Sequence, residues 1–306
     1  MKSILPPGRK REALSAHLST QWAQTAHLLF LDALMKAGGW NHGDLAFHGG
    51  TSLHLSWQSN RYSEDLDFLL ARADRDMASA IGKAVKLMRE QFRRIDPGFD
   101  ITLREKTKDA ERMLVYQLAI SHPRVVGNTM VKAEFWKTDH EYLMNYPTEL
   151  RAPRAPGDFL GVVSYPVPAA SLQTAFADKL VAFATRPHLK WRDVYDLWWL
   201  GTQSALKLDH AVVATQFLHN VKAYSTAGGK PPHVALLGLL QRNREDVIAQ
   251  ADPDLKTWLP PDLWKALHPA GVVHMVDYVC DTLQAVHDHI AQADKKPDKP
   301  RQRRRS

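Results

Sequence analysis

Apolar positions recur at helical spacing from Ala13 to Ala37, where Leu14, Leu18, Trp22, Leu28, Leu29 and Leu31 predict one long amphipathic helix that Gly38 and Gly39 end. The period then changes. Leu45 to His48 reads as a short strand, Gly49 and Gly50 as a tight turn, and Thr51 to Trp57 as a short helix whose N-terminus faces the turn. Arg61 to Ser63 leads into a strand over Asp65 to Leu70, followed by a helix from Asp74 to Arg94. Further strands are predicted at Phe99 to Glu105, Arg112 to Ser121 and Met130 to Lys137. Tyr146 to Pro168 is rich in proline and reads as a link. Beyond it the pattern is helical, at Ser171 to Thr185, Trp191 to Leu200, Ala211 to Ala223, Pro232 to Ala249 and Gly271 to Ala291. The fold class is therefore α+β: a mixed sheet with flanking helices over residues 1–165, then a mostly helical domain over 166–292.

Composition narrows the class without changing it. Hydrophobic residues make up 44% and charged residues 24% of the 306, which excludes a disordered or fibrous chain. The first residues, MKSILPPGRKR, lack the apolar core of a signal peptide, and no run reaches the length of a membrane span, so the expected location is cytoplasmic with no membrane partner. The single cysteine, Cys280, cannot form an internal disulfide and reads as a structural thiol in a reducing compartment. The net charge of +7 is mostly in one place. Residues 294–306 hold seven cations against two acids, which leaves +2 for the rest of the chain. That Pro-rich basic tail, 293–306, is expected to be disordered; it is either an extra attraction for RNA phosphates or a solubilising end.

The chemistry concentrates in FHGGTSLHLSWQSNRYSEDLDFLL, Phe47 to Leu70. On a strand, Asp65 and Asp67 project from one face while Leu66, Phe68 and Leu70 project from the other. Two like charges side by side repel unless a cation sits between them, and a hard divalent ion such as Mg2+ fits carboxylate oxygens. A lone pair of this kind is also what a solvated edge strand shows. The context is upstream: Gly49 and Gly50 let backbone amides approach a ligand, and a helix starting at Thr51 or Ser52 points its free N–H groups at an anion. That arrangement suits the oxygens of a nucleoside triphosphate (NTP), with the carboxylates holding the metal beside them.

A second cluster is SLQTAFADKLVAFATRPHLKWRDVYDLWWL. On the first helix Leu172, Phe176, Leu180 and Phe183 fall within an arc of about 100°, and Lys179 falls inside the same arc. An ammonium in an apolar stripe must snorkel out or meet an anion. Asp193 shares a face with Leu197 and Leu200, and Asp196 is its neighbour three residues on. These residues read either as a functional lysine and aspartate or as an ion pair locking two helices. Spacing leaves Asp193 and Asp196 undecided, though the apolar neighbours favour Asp193.

HGGTSL followed by RYSEDLDF resembles the AbiEii/AbiGii group of nucleotidyltransferases, which includes the MenT toxins, within the polymerase-β-like superfamily. The resemblance implies a nucleotidyltransferase fold, Asp65 and Asp67 as metal ligands and catalytic acids, and a GG[ST] motif carried by Gly49, Gly50 and Thr51, with Ser63 preceding the acids. Ser52 also follows the glycines, so which hydroxyl serves the phosphates is open. A third carboxylate is expected on a later strand, and TMVKAEFW offers Glu134, with Lys132 on the same face. A cross-strand ion pair accounts for those two equally well in kind. DKL at Asp178 to Leu180 and RDVYDL at Arg192 to Leu197 resemble the family's later motifs, which implies that Lys179 and an aspartate of this type are needed for activity.

The implied function is that of a toxin in a toxin–antitoxin or phage-defence system, transferring a nucleoside monophosphate from an NTP with two Mg2+ ions. The implied acceptor is tRNA at its 3′ end, and the implied partner a cognate antitoxin. Two other readings stand beside it: nucleotidylation or phosphorylation of a protein, with Ser63 as an acceptor, and a binding module without catalysis. Elsewhere the HDH run from His287 does not pair as ligands, because i and i+2 diverge by about 200° on a helix. Trp191, Trp198 and Trp199 read as packing. Arg61, Lys106, Lys108, Arg112 and Arg124 read either as a path for acceptor RNA or as solvated strand ends.

Overall fold

The computed structural model describes residues 11–72, 76–155, 165–186, 188–224 and 232–294. The basic tail expected from the sequence lies almost wholly outside them. The chain divides into two compact units, Met1–Ser171 and Leu172–Ser306.

The first unit begins with β1 (Glu12–Ala13) and α1 (Ala16–Gly38). The Ser15 side chain accepts from the Leu18 amide and caps α1, while Gly39 closes it in the left-handed region that a glycine enters at little cost. From Ala26 to Leu34 every position of α1 is buried, including Asp32 and His27, so this helix is enclosed by the fold. Next come β2 (Leu45–His48), α2 (Gly49–Ser56), β3 (Asp65–Ala71), α3 (Met77–Ile95), β4 (Asp100–Glu105), β5 (Met113–Ser121), β6 (Val125–Val126) and β7 (Thr129–Thr138). α4 (His140–Met144), β8 (Thr148–Arg151) and β9 (Val167–Ala170) complete the unit. Seven strands form one mixed sheet in the order β4-β5-β7-β3-β2-β9-β8, and β1 pairs with β6 separately. Only β3–β7 and β2–β9 run parallel within the large sheet.

The sheet's register decides which way the acidic residues face. Phe47, Phe68 and Phe135 lie opposite one another on β2, β3 and β7. Their rings form a continuous ladder, with centroids 5.2 Å apart for Phe47–Phe68 and 4.7 Å for the stacked Phe68–Phe135 pair. Leu66, Leu70, Val131 and Ala133 join that core face, which packs with α1 and the apolar stripe Ile81, Ala84, Val85, Met88 and Phe92 of α3. Strand alternation then turns Asp65, Asp67, Lys132 and Glu134 to the opposite face.

The Pro-rich stretch is more than a link. Val167–Ala170 pairs with both β2 and β8, so the sheet gains two strands the sequence pattern does not predict. Such short segments show no alternation, and Pro168, which cannot donate to a ladder, conceals the strand.

The second unit is helical: α5 (Leu172–Thr185), α6 (Trp191–Gly201), α7 (His210–Tyr224), α8 (Pro232–Leu236), α9 (Arg244–Ala249), α10 (Ala251–Leu255), a 3-10 turn at Lys256–Trp258, α11 (Pro261–Leu267) and α12 (Ala270–Asp294). α12 carries the core stripe Val272, Met275, Val276, Val279, Leu283, Val286 and Ile290, all nearly inaccessible. The single helix expected over Pro232 to Ala249 is broken in two. Asn243 accepts from the Glu245 and Asp246 amides, and this local cap starts a new helix there. Trp191 is wholly buried and donates its indole N–H to the Val247 carbonyl at 2.8 Å, in line with the packing role expected of it. Among the described residues no helix is long and apolar enough to cross a membrane.

Candidate active site

The strand–turn–helix of β2 and α2 sets the first part of the site. Gly49 adopts φ +76°, and a Cβ there would collide with the Asp67 carboxylate, so only glycine lets this carboxylate lie against the backbone of the turn. A Cβ on Gly50 would stand 2.5 Å from Arg61 Nη2 and 2.7 Å from Ser63 Oγ. The turn is therefore bare backbone packed against a carboxylate on one side and a guanidinium and hydroxyl on the other. His48, at the N-cap of α2, makes no side-chain cap bond.

Thr51 and Ser52 are both buried and already engaged. The Thr51 hydroxyl donates to the Asp65 carbonyl, and the Ser52 hydroxyl donates to the Phe47 carbonyl at 3.2 Å. These bonds tie α2 to β3 and β2. Neither hydroxyl points outward to a ligand in this arrangement; the groups the turn presents are backbone ones.

Asp65 and Asp67 lie in register with Lys132 and Glu134 across the parallel pair β3–β7. Lys132 Nζ sits 2.8 Å from Glu134 Oε1 and 3.3 Å from Asp65 Oδ2. Burial works against its charge, yet the hydrogen bond to Glu134 and the charge of Asp65 raise the Lys132 pKa overall. Burial first, then the Glu64 and Asp65 carboxylates, pushes the neighbouring Tyr62 phenol above its ordinary range. Among the described residues no three His, Cys, Asp or Glu side chains converge at ligating distance, and at this face Lys132 bridges Asp65 and Glu134. The donor set nonetheless suits a hard divalent cation: Asp65, Asp67 and Glu134 offer oxygen ligands only, and Asp65 and Glu134 share a single ammonium.

Arg61 is a correction. Its guanidinium is buried, with Nη1 donating to the Tyr62 carbonyl at 2.9 Å, rather than solvated or lining a path for RNA. The physical reason is Gly50, whose missing side chain leaves room for the guanidinium. Arg112 lies over the Trp136 ring and Arg124 reaches towards Asp96, so both have local partners.

Behind β3, His27 Nε2 donates to the Glu64 carbonyl at 2.7 Å, and its Nδ1 has no hydrogen-bond partner. Complete burial lowers its pKa to about 4. Burial also lowers that of His54, whose Nδ1 is 2.8 Å from the Ser59 carbonyl.

In the second unit α5 and α6 bring Lys179, Asp193 and Asp196 together out of solvent. Lys179 Nζ is 2.6 Å from Asp196 Oδ2 and 3.4 Å from Asp193 Oδ1, so the shorter contact goes to Asp196. Asp193 is shared with Arg186, a partner the sequence analysis passed over; its signal is a cation seven residues ahead of an inward aspartate. Two cations and two carboxylates make this cluster neutral overall.

Known proteins of similar structure share the architecture. The MenT4 nucleotidyltransferase toxin from Mycobacterium tuberculosis H37Rv superposes with a TM-score of 0.59 at 21% identity, covering 90% of this chain and 91% of that one. JHP933 from Helicobacter pylori gives 0.52 at 15% identity over 92% and 97% of the two chains. A putative nucleotidyltransferase from the same species gives 0.52 at 15% identity over 92% and 99%. At such identities the likeness speaks for the fold alone. No curated protein matches the sequence. The family assignment rests on the sequence itself: residues 35–266 match the nucleotidyl transferase AbiEii toxin of type IV toxin–antitoxin systems, and the chain belongs to that family.

Proposed function

We propose that this toxin transfers a nucleoside monophosphate from an NTP to the 3′ end of tRNA, with Asp65 and Asp67 as the central acids. The observation that carries the reading is their placement: one face of β3, in register with Lys132 and Glu134, beside a glycine turn whose backbone is uncovered. In the transfer an acceptor hydroxyl oxygen bonds to the α-phosphorus, the bond to the pyrophosphate oxygen breaks, and the hydroxyl proton leaves. Asp65, Asp67 and Glu134 are the residues that would hold Mg2+, which, when bound, offsets the charge on the phosphate oxygens. The backbone of Gly49 and Gly50 and the amides opening α2 receive triphosphate oxygens, supported by the positive end of the helix. Ser63, against Gly50, keeps that turn in place, and the Thr51 and Ser52 hydroxyls do so from inside.

Lys179 and Asp193 are assigned as further residues that the activity needs, with Asp193 and Asp196 holding the Lys179 ammonium in position. An antitoxin partner follows from the family's type IV system. Incubation with each of the four NTPs labelled at the α-phosphate, Mg2+ and total RNA tests the proposal. Label is expected in the tRNA fraction and is expected to vanish in Asp65→Ala and Asp67→Ala. Label found only in protein would overturn the RNA acceptor, and label in RNA that survives both substitutions would overturn the mechanism.

A further inference from the structure

The second unit holds a cavity of ≈ 280 Å³ between the end of α5, the start of α6 and the α8 region. Phe183 and Leu239 give it apolar wall, while Arg186, His188, Lys190, Asp193, Gln241 and Arg242 supply its polar lining. The charges do not cancel. Asp193 is taken by Lys179 and Arg186, which leaves Lys190 and Arg242 as cations that, among the described residues, form no ion pair. Lys190 already feels the surplus: the nearby Arg192 charge, then burial, then Arg186 lower its pKa, and the pull of Asp193 and Asp254 is smaller. Cations gathered around an opening without a matching acid are stabilised by an anion.

We infer that this cavity is a phosphate site, taking a phosphoryl group between Lys190, Arg242 and the outer edge of Arg186. Its size limits the ligand. At ≈ 280 Å³ it admits a phosphoryl group and the atoms next to it. Guanidinium groups suit the oxygens of phosphate, and Gln241 adds a neutral donor at the rim. The phosphate belongs either to an NTP or to the backbone of an RNA strand. No residue of β3 or β7 enters the cavity; Asp193, which holds Lys179 in the proposed function, is one of its walls, so the test leaves Asp193 unaltered.

The test is binding in EDTA, so that metal-held nucleotide makes no contribution. ATP and a labelled single-stranded oligoribonucleotide of about ten nucleotides are titrated onto the full-length protein and onto Lys190→Gln/Arg242→Gln. Affinity for at least one ligand should fall about tenfold or more in the double variant. If RNA is the ligand, the slope of log K against log salt should shrink by about 1 to 1.5, the loss of two strand phosphates. A loss for ATP alone assigns the site to the nucleotide, a loss for RNA alone assigns it to the strand, and a loss for both keeps the phosphate assignment. Unchanged affinity for both overturns it. Should the double variant melt early, Gln241→Glu and Gln241→Lys decide: the first must weaken and the second tighten binding, and equal affinities overturn the inference. Lys190→Gln/Arg242→Gln should cost the same factor in an Asp65→Ala background as in the unaltered one, which separates this site from the proposed catalysis.

Discussion

On the face of β3 and β7 the carboxylates of Asp65 and Glu134 share one lysine and stay partly open to solvent, with side-chain exposures of 45% for Asp65, 26% for Glu134 and 36% for Lys132. Between α5 and α6 two carboxylates meet two cations, and exposures fall to 10% for Lys179, 2% for Asp193 and 0% for Asp196, while Arg186 at the edge keeps 35%. The first cluster is short of positive charge and can take up more. The second is balanced internally and its carboxylates are buried, so they hold their cations in place. Charge deficit with access suits chemistry on a ligand; charge balance with burial suits fixed geometry.

The contrast breaks most sharply in a pair of variants. Asp67→Asn should lower transfer on the order of 10³-fold, as for the loss of a central electrostatic group. Its unfolding free energy should fall by no more than about 1 kcal/mol, because asparagine keeps the size of the side chain and one carbonyl oxygen against the Gly49 turn. Asp196→Ala should do the reverse in stability. It strips Lys179 of its nearest partner inside the protein, where breaking one side of a buried pair costs about 3–5 kcal/mol. If urea unfolding showed the two variants equally destabilised, the distinction between an open, charge-deficient face and a closed, balanced cluster would fail.

Acid should separate the regions next. His27 lies beneath the acidic strand, and its folded-state pKa of about 4 is below the ordinary 6.5. From pH 6.5 down to about 4 the unfolded chain takes up a proton that the folded one refuses, so stability falls by roughly 3 kcal/mol over that window and no further below it. Above pH 6.5 the ring is neutral in both states and contributes no slope. Burial is the main cause, and Nδ1 has no hydrogen-bond partner for a second proton. Equilibrium unfolding of the unaltered chain and His27→Gln between pH 7 and 5 should show the loss in the first and a flatter profile in the second. Parallel profiles would remove His27 as the cause.

The β2–α2–β3 segment was legible because alternation and glycine are local signals: Leu66, Phe68 and Leu70 against Asp65 and Asp67 need only a strand to sort them. Lys179 was legible for the same reason, as one charge in an apolar helical stripe. What stayed hidden depends on contacts across the chain. Arg61 is buried because Gly50 leaves room for it, and the polar run around it gives no hint of that. Thr51 and Ser52 look like phosphate ligands until β3 and β2 claim their hydroxyls. Val167–Ala170 is a strand only because β2 and β8 receive it, and Arg242 joins Lys190 only through the turns after α8. Local pattern therefore recovered the acids and missed their supporting contacts.

Lys132 is where the comparison can be sharpened by the smallest effect. Its ammonium bridges Asp65 and Glu134, the position from which it competes with any cation drawn to the same oxygens. Replacing it with a neutral side chain of similar length removes the ammonium that Asp65 and Glu134 share, and a divalent ion should then bind more tightly. For a partly exposed ammonium the gain is modest, roughly threefold to fivefold, because solvent screens the pair. Mn2+ titrated onto Lys132→Met without nucleotide, followed by the loss of its free-ion resonance signal, reads this directly. In the α5–α6 cluster Lys179→Met should give no such gain, since Arg186 remains on Asp193 and the site is closed to solvent. Tighter Mn2+ binding in Lys132→Met alone places the metal on the β3–β7 face; equal gains, or none in either, would mean that charge deficit does not choose the site.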